Sequence, residues 1–118
     1  MYRHIEAYSH KSKIGVLVEL ETVDDFTANT AEFQQLAKDI ALQITATKPI
    51  GISPIDNSNL IHLWPNIDSE IDDGILLNQP YIKDPDITVK DRIMETENIL
   101  STKIKVIRFV RYANDETL

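Results

Sequence analysis

The sequence predicts an α+β domain: a small antiparallel three-stranded sheet packed on helices, in the order β-β-α, a long loop, then α-β. Three observations predict it. Residues 14 to 20 (IGVLVEL) alternate at period 2, residues 33 to 44 carry apolar groups at spacings of three and four, and residues 103 to 112 (KIKVIRFVRY) form a second strong strand signal far along the chain. With 118 residues and 42% apolar content, one compact domain over 1–118 with a modest core is expected.

Residues 4 to 9 (HIEAYS) and 14 to 20 flank a polar HKSK turn, the spacing of an antiparallel hairpin. In the second strand Ile14, Val16, Val18 and Leu20 share one face, and Gly15 removes a side chain from the other, as a close backbone approach would require. Asn29 with Glu32 three residues on resembles a capping box and starts a helix near Thr30. Phe33, Leu36, Ala37, Ile40, Ala41 and Ile44 make its apolar stripe, and Lys48-Pro49 ends it. Residues 49 to 76 have no sustained period and are read as a long irregular excursion, anchored by Leu60, Ile61, Leu63 and Trp64. An ordered connector, LLNQPYIKDPDI, follows. Thr88 and Asp91 then cap a second helix with Val89, Ile93, Thr96 and Leu100 on one face. The last strand carries apolar residues on both faces, Val106 and Val110 against Ile107 and Phe109, which predicts a central position.

Composition narrows the function. A net charge of −7 and a pI near 4.8 argue against a direct nucleic-acid partner, since binding phosphate backbones needs clustered cations. The chain has no cysteine, which excludes disulfides and thiolate metal sites and suits a reducing compartment. Its longest apolar runs, GVLV and GILL, fall far short of the roughly 20 residues a membrane helix needs, so no membrane role is expected. The chain shows no P-loop, Gly-rich phosphate cradle or Ser-His-Asp spacing, so neither an enzyme nor a cofactor is expected. Asp24-Asp25 and Asp72-Asp73 could pair for metal or acid-base work, but adjacent loop acids are far more often solvated caps. His4, His10 and His62 lack metal-ligand spacing, although His4 and His10 could face each other across the hairpin. Arg108 and Arg111 suit salt bridges or an acidic partner.

One stretch resists the pattern. In VELETVDDFTANTAEF, residues 18 to 33, Phe26 has no apolar partner at strand or helix spacing. It either folds under the helix start or is displayed to something else.

Four blocks, SHKSKIGVLVEL, EFQQLAKDIALQI, LLNQPYIKDPDITVKD and KIKVIRFVRY, resemble in order and spacing the core, or dimerisation, domain of bacterial and organellar elongation factor Ts. Together they cover well over half of the chain. The resemblance implies a guanine-nucleotide exchange factor that acts on the GDP-bound form of the GTPase elongation factor Tu, in a bacterial cytoplasm or an organelle such as the plastid stroma. DDFTAN aligns with the family's T-D-F-V-A-R motif, keeping Asp25, Phe26 and Ala28. By that alignment Asp24, Asp25, Phe26, Thr27, Ala28 and Asn29 form the GTPase-contact loop, with Asp25 and Phe26 inserted beside the partner's magnesium site.

The departures are Thr27 in place of Val, Asn29 of Arg, Asp24 of Thr, and Thr22-Val23 of a common Cys-Glu pair. They leave a second reading, an interaction module that binds elongation factor Tu or a translation assembly without exchanging nucleotide. The family usually carries an N-terminal three-helix module ahead of the first strand, where this chain begins, and a longer helical insertion in place of 49–76. Weaker binding than a full-length factor's is therefore expected, and the part of the interface that the insertion supplies is either missing or rebuilt around Trp64. Short, single-module members imply pairing into a homodimer.

Overall fold

The alternating N-terminal segment folds back on itself as β1 (Tyr2–His10) and β2 (Ile14–Thr22), in register from Tyr2 opposite Thr22 to His10 opposite Ile14. The turn closes through the Lys13 N–H, which donates to the His10 carbonyl at 3.0 Å, with Lys11 and Ser12 at φ 53° and 60°. The computed structural model describes residues 1–52 and 74–114. Leu60, Ile61, His62, Leu63, Trp64, Asp72 and Asp73, and with them the expected anchors of the excursion, lie outside the described residues.

A single helical turn, α1 (Asp25–Ala28), precedes the long helix α2 (Ala31–Thr47). The predicted stripe of α2 is its buried face: Phe33, Leu36, Ala37, Ile40, Ala41 and Ile44 all pack into the core. They meet Val16, Val18 and Leu20 of β2, which confirms the predicted inward face of that strand. Lys48 closes α2 in the left-handed region, and its N–H returns to the Ile44 carbonyl.

The excursion leaves and returns through a neck. Ile50 N–H donates to Gly74 O and Leu76 N–H to Gly51 O, both at 2.8 Å, and a 3-10 turn (Leu76–Asn78) follows. The connector then forms a two-stranded ribbon that the sequence did not announce, β3 (Pro80–Tyr81) and β4 (Asp84–Thr88). Helix α3 (Val89–Leu100) starts on the predicted capping box: Asp91 N–H donates to Thr88 Oγ1 and Thr88 N–H to the Asp91 carboxylate, each at 3.1 Å. Val89, Ile93 and Thr96 are buried against the same core, and Leu100 flanks it.

The final strand, β5 (Lys105–Ala113), corrects an expectation. The sheet order is β1-β2-β5, so β2 is central and β5 lies at an edge. Apolar residues occupy both faces of β5 because the outer face of the sheet is itself apolar and, among the described residues, exposed: Val110 is 52% and Tyr112 79% exposed. Gly15 lies on that outer face opposite Tyr112, with no atom within 4 Å of where a Cβ would stand, so no backbone approaches it. The three-stranded antiparallel sheet under helices is otherwise the predicted α+β arrangement. Among the described residues, no helix is long and apolar enough to cross a membrane.

Candidate functional site

The predicted contact residues lie where β2 runs out. Tyr2 faces Thr22 at that end of the sheet, and the Thr22 hydroxyl donates to the Lys103 carbonyl at 3.0 Å, so β2 is tied down just before the chain leaves it. A chain emerging from a fixed strand end has a defined direction.

Residues 24 to 29 form an ordered turn, where the sequence predicted a loop. Asp24 is its N-cap, with extended backbone at φ −158°, and its Oδ1 accepts the Thr27 N–H at 2.8 Å. That hydrogen bond to the ionised form holds the Asp24 carboxyl below its usual range. Asp25 occupies the first turn, where a carboxylate suits the positive end of the peptide dipoles. Ala28 is buried and anchors the turn in the core. Phe26, two residues earlier, is 80% exposed. Of the two placements open to this ring, the structure takes display. Val23, half exposed at the end of β2, lies just before the turn.

The C-terminal end of the turn is held from α2. Asn29, expected as the cap of the long helix, instead ends α1, its N–H donating to Asp25 O and Phe26 O at 3.0 and 3.2 Å. The cap is Thr30, one residue later: its hydroxyl accepts the Phe33 N–H at 3.2 Å and donates to the Thr27 carbonyl at 2.7 Å. Gln34 reaches back from the first turn of α2, its Nε2 donating to the Ala28 carbonyl at 2.7 Å. The pattern of apolar residues gives no sign of this contact, because Gln34 looks like any solvent-facing helix position.

The other candidates resolve into structural roles. His4 and His10 lie on one strand and do not face each other: His4 Nε2 pairs with Glu6 Oε1 at 2.9 Å and His10 Nδ1 with Tyr8 OH at 3.0 Å. The His4 ring meets Phe33 edge-on, with centroids 5.6 Å apart. Arg108 pairs with Glu19 across the outer face of the sheet and, with Arg3, holds the Glu19 carboxyl below its usual range. Arg111 donates to the Thr45 carbonyl near the end of α2. Among the described residues, no group of three or more histidine, aspartate or glutamate side chains could hold a metal ion.

Comparison with known proteins identifies the family of the chain. The family model described as Elongation factor TS matches residues 2–60. The chain is 34% identical to the Elongation factor Ts of Desulfosudis oleivorans over 137 aligned positions, covering 95% of this chain and 69% of the relative. It is 36% identical to that of Thermodesulfovibrio yellowstonii, covering 96% and 68%. It is also 36% identical to the chloroplastic Elongation factor Ts of Rhodomonas salina, covering 97% and 64%. The chain thus spans about two thirds of the length of these relatives.

Proposed function

The chain belongs to the elongation factor Ts family, and from that premise we propose that it takes part in translation elongation by promoting GDP release from elongation factor Tu. The observation that carries the reading is the Phe26 ring, 80% exposed on a turn held by hydrogen bonds at both ends. Leaving a phenyl ring in water forgoes about 2 kcal/mol of burial, an arrangement that suits a ring seated in a partner.

In this reading Phe26 enters an apolar crevice of the GTPase, while Asp25 beside it disturbs the groups arranged around the partner's magnesium ion. No covalent bond is made or broken. Factor and nucleotide weaken each other's binding by one shared coupling energy, typically about 1 to 3 kcal/mol. Ala28, expected in the contact loop, is buried and anchors the turn from the core, while Asp24, Thr27 and Asn29 set the position of the pair and line its edge.

Stopped-flow release of a fluorescent GDP from a bacterial-type elongation factor Tu tests this. The parent protein accelerates release, and Phe26→Ala removes the acceleration while moving stability by less than about 0.5 kcal/mol, because the ring is outside the core. Equal acceleration by the mutant and the parent would refute the wedge. The changes at Thr27 and Asn29 support a second reading, binding without exchange, which predicts a measurable complex with no acceleration.

Self-association is part of the proposal. The outer sheet face, with Ile5, Leu17, Val110 and Tyr112 exposed, is an apolar surface of the kind a second copy would cover. A bacterial cytoplasm or plastid stroma suits relatives drawn from bacteria and from a chloroplast. The acidic charge is set against a direct nucleic-acid contact.

A further inference from the structure

We infer that Gln34 is a positioning residue for the Phe26 turn, clamping α1 against α2 so that the ring is presented in one orientation before any partner arrives; this rests on the exchange reading above.

The argument starts from the size of α1. A helix of four residues cannot sustain itself, since forming a first turn fixes several dihedrals for one hydrogen bond. Its geometry must come from what grips it. At the N-terminal end the grip is local, the Asp24 carboxylate on the Thr27 N–H. At the C-terminal end the carbonyls of Thr27 and Ala28 have no following helical turn to accept from. The Thr27 carbonyl accepts instead from Thr30, through its N–H at 3.2 Å and its Oγ1 at 2.7 Å, and the Ala28 carbonyl from Gln34 Nε2 at 2.7 Å. Thr30, the cap of α2, ties the turn to the helix start beside it, its hydroxyl also accepting the Phe33 N–H. Gln34 adds a second tie from within the first turn of α2, beside the fully buried Phe33, and its side chain is the one that reaches the last carbonyl of the turn. Gln34 is half-buried, which shields its hydrogen bond from competing water. Holding the turn in advance removes the ordering cost from the binding step.

The chemistry makes the inference separable from a packing role, because the clamp needs a donor at this position. Gln34→Glu keeps the shape and loses the donor, placing a carboxylate oxygen against the Ala28 carbonyl; Gln34→Lys changes the shape and restores a donor. Two readouts are compared for parent, Gln34→Glu, Gln34→Lys and Phe26→Ala.

The first is amide hydrogen exchange in the isolated protein at Ala28, Asn29 and Thr30, whose N–H groups close the turn. The second is the rate of fluorescent GDP release from elongation factor Tu. Gln34→Glu is expected to speed amide exchange at these three sites and slow GDP release, each by roughly fivefold, the weight of one hydrogen bond. Its melting temperature stays near the parent's, and Gln34→Lys recovers most of both losses.

Unchanged amide protection in Gln34→Glu would overturn the clamp, whatever the partner does. Loosened amides with an unchanged release rate would overturn its role in presenting Phe26. Equal losses in the glutamate and lysine variants would overturn the need for a donor. GDP release as fast with Phe26→Ala as with the parent would refute the wedge and, with it, the role of the clamp in presenting Phe26; no acceleration by the parent would overturn the exchange reading, and the amide readings stand apart from both.

Discussion

Asp39 sits in the middle of α2 with its side chain only 5% exposed, and it holds three elements together. Its Oδ1 accepts from Lys83 Nζ, in the turn of the β3–β4 ribbon, at 2.6 Å, and its Oδ2 from Arg92 Nη2 of α3 at 3.0 Å. The Arg92 guanidinium also lies over the Tyr81 ring, 5.9 Å from its centroid. Burial alone would push the Asp39 carboxyl up; hydrogen bonds from Lys83, Gln35 and Arg92 outweigh it and hold the group below its usual range. A depressed folded value stabilises the fold above the unfolded carboxyl's value of about 4, and that stability drains as pH falls through the folded value. Urea midpoints measured from pH 7 down to 2.5 should therefore fall for the parent, and the Asp39→Asn variant should lack part of that slope. Asp39→Ala, which strands Arg92 partly buried, should cost about 3 kcal/mol at neutral pH by denaturant titration. The apolar periodicity of α2 does not separate Asp39 from the exposed Lys38 beside it. Its role depends on residues more than 40 positions away.

At the scale of elements, the start and stop signals were largely legible because caps are short-range chemistry. Thr88 and Asp91 form the reciprocal box that their spacing predicts. Thr88→Ala should cost about 1 kcal/mol in urea unfolding, with most of the loss in α3 and the ribbon joined to it. Lys48 and Ser101 end their helices at φ 50° and 52°, where a Cβ is crowded. Ser101→Gly should then raise stability by up to about 1 kcal/mol, less whatever glycine adds to the freedom of the unfolded chain, seen as a higher melting temperature. The start of α2 differs from expectation by one residue. Asn29 and Thr30 are both good caps by type, and the choice went to Thr30 because its backbone is extended, at φ −71° and ψ 153°, as a cap requires, whereas Asn29, closing α1, sits at φ −93° and ψ 1°. The β3–β4 ribbon carries no strand signal in the sequence, since two of its strand residues are Pro80 and Pro85, a residue type that reads as loop.

At the scale of the whole molecule, the described residues give the sheet one covered and one open face. The helices cover the side bearing Val16, Val18, Leu20 and Val106. The other side is apolar across the middle, and Arg3, Glu19 and Arg108 form a charged row toward one end. If a second copy covers that face, the parent should give a dimer mass by light scattering, and Leu17→Asp a monomer with an unchanged circular dichroism spectrum. Leu17 is 48% exposed in the single chain, so the substitution disturbs association before it disturbs the fold. A parent that is monomeric over a wide concentration range would set self-association aside.

The sequence by itself determined the elements whose signals are local: the hairpin, the stripe of α2, the cap of α3, and the stretch around Phe26 that fits neither period. Those signals are carried by residues within a turn or two of one another, and such short-range terms act before the chain closes. The tertiary structure decided the rest. Strand order placed β5 at an edge, because pairing depends on which strands meet and not on how apolar each one is. It also decided that Gly15 faces open space and that Asp39 joins three elements. Above all, it decided that the Phe26 ring points outward, since a single turn too short to hold itself takes its direction from the core beneath Ala28 and the side chain of Gln34.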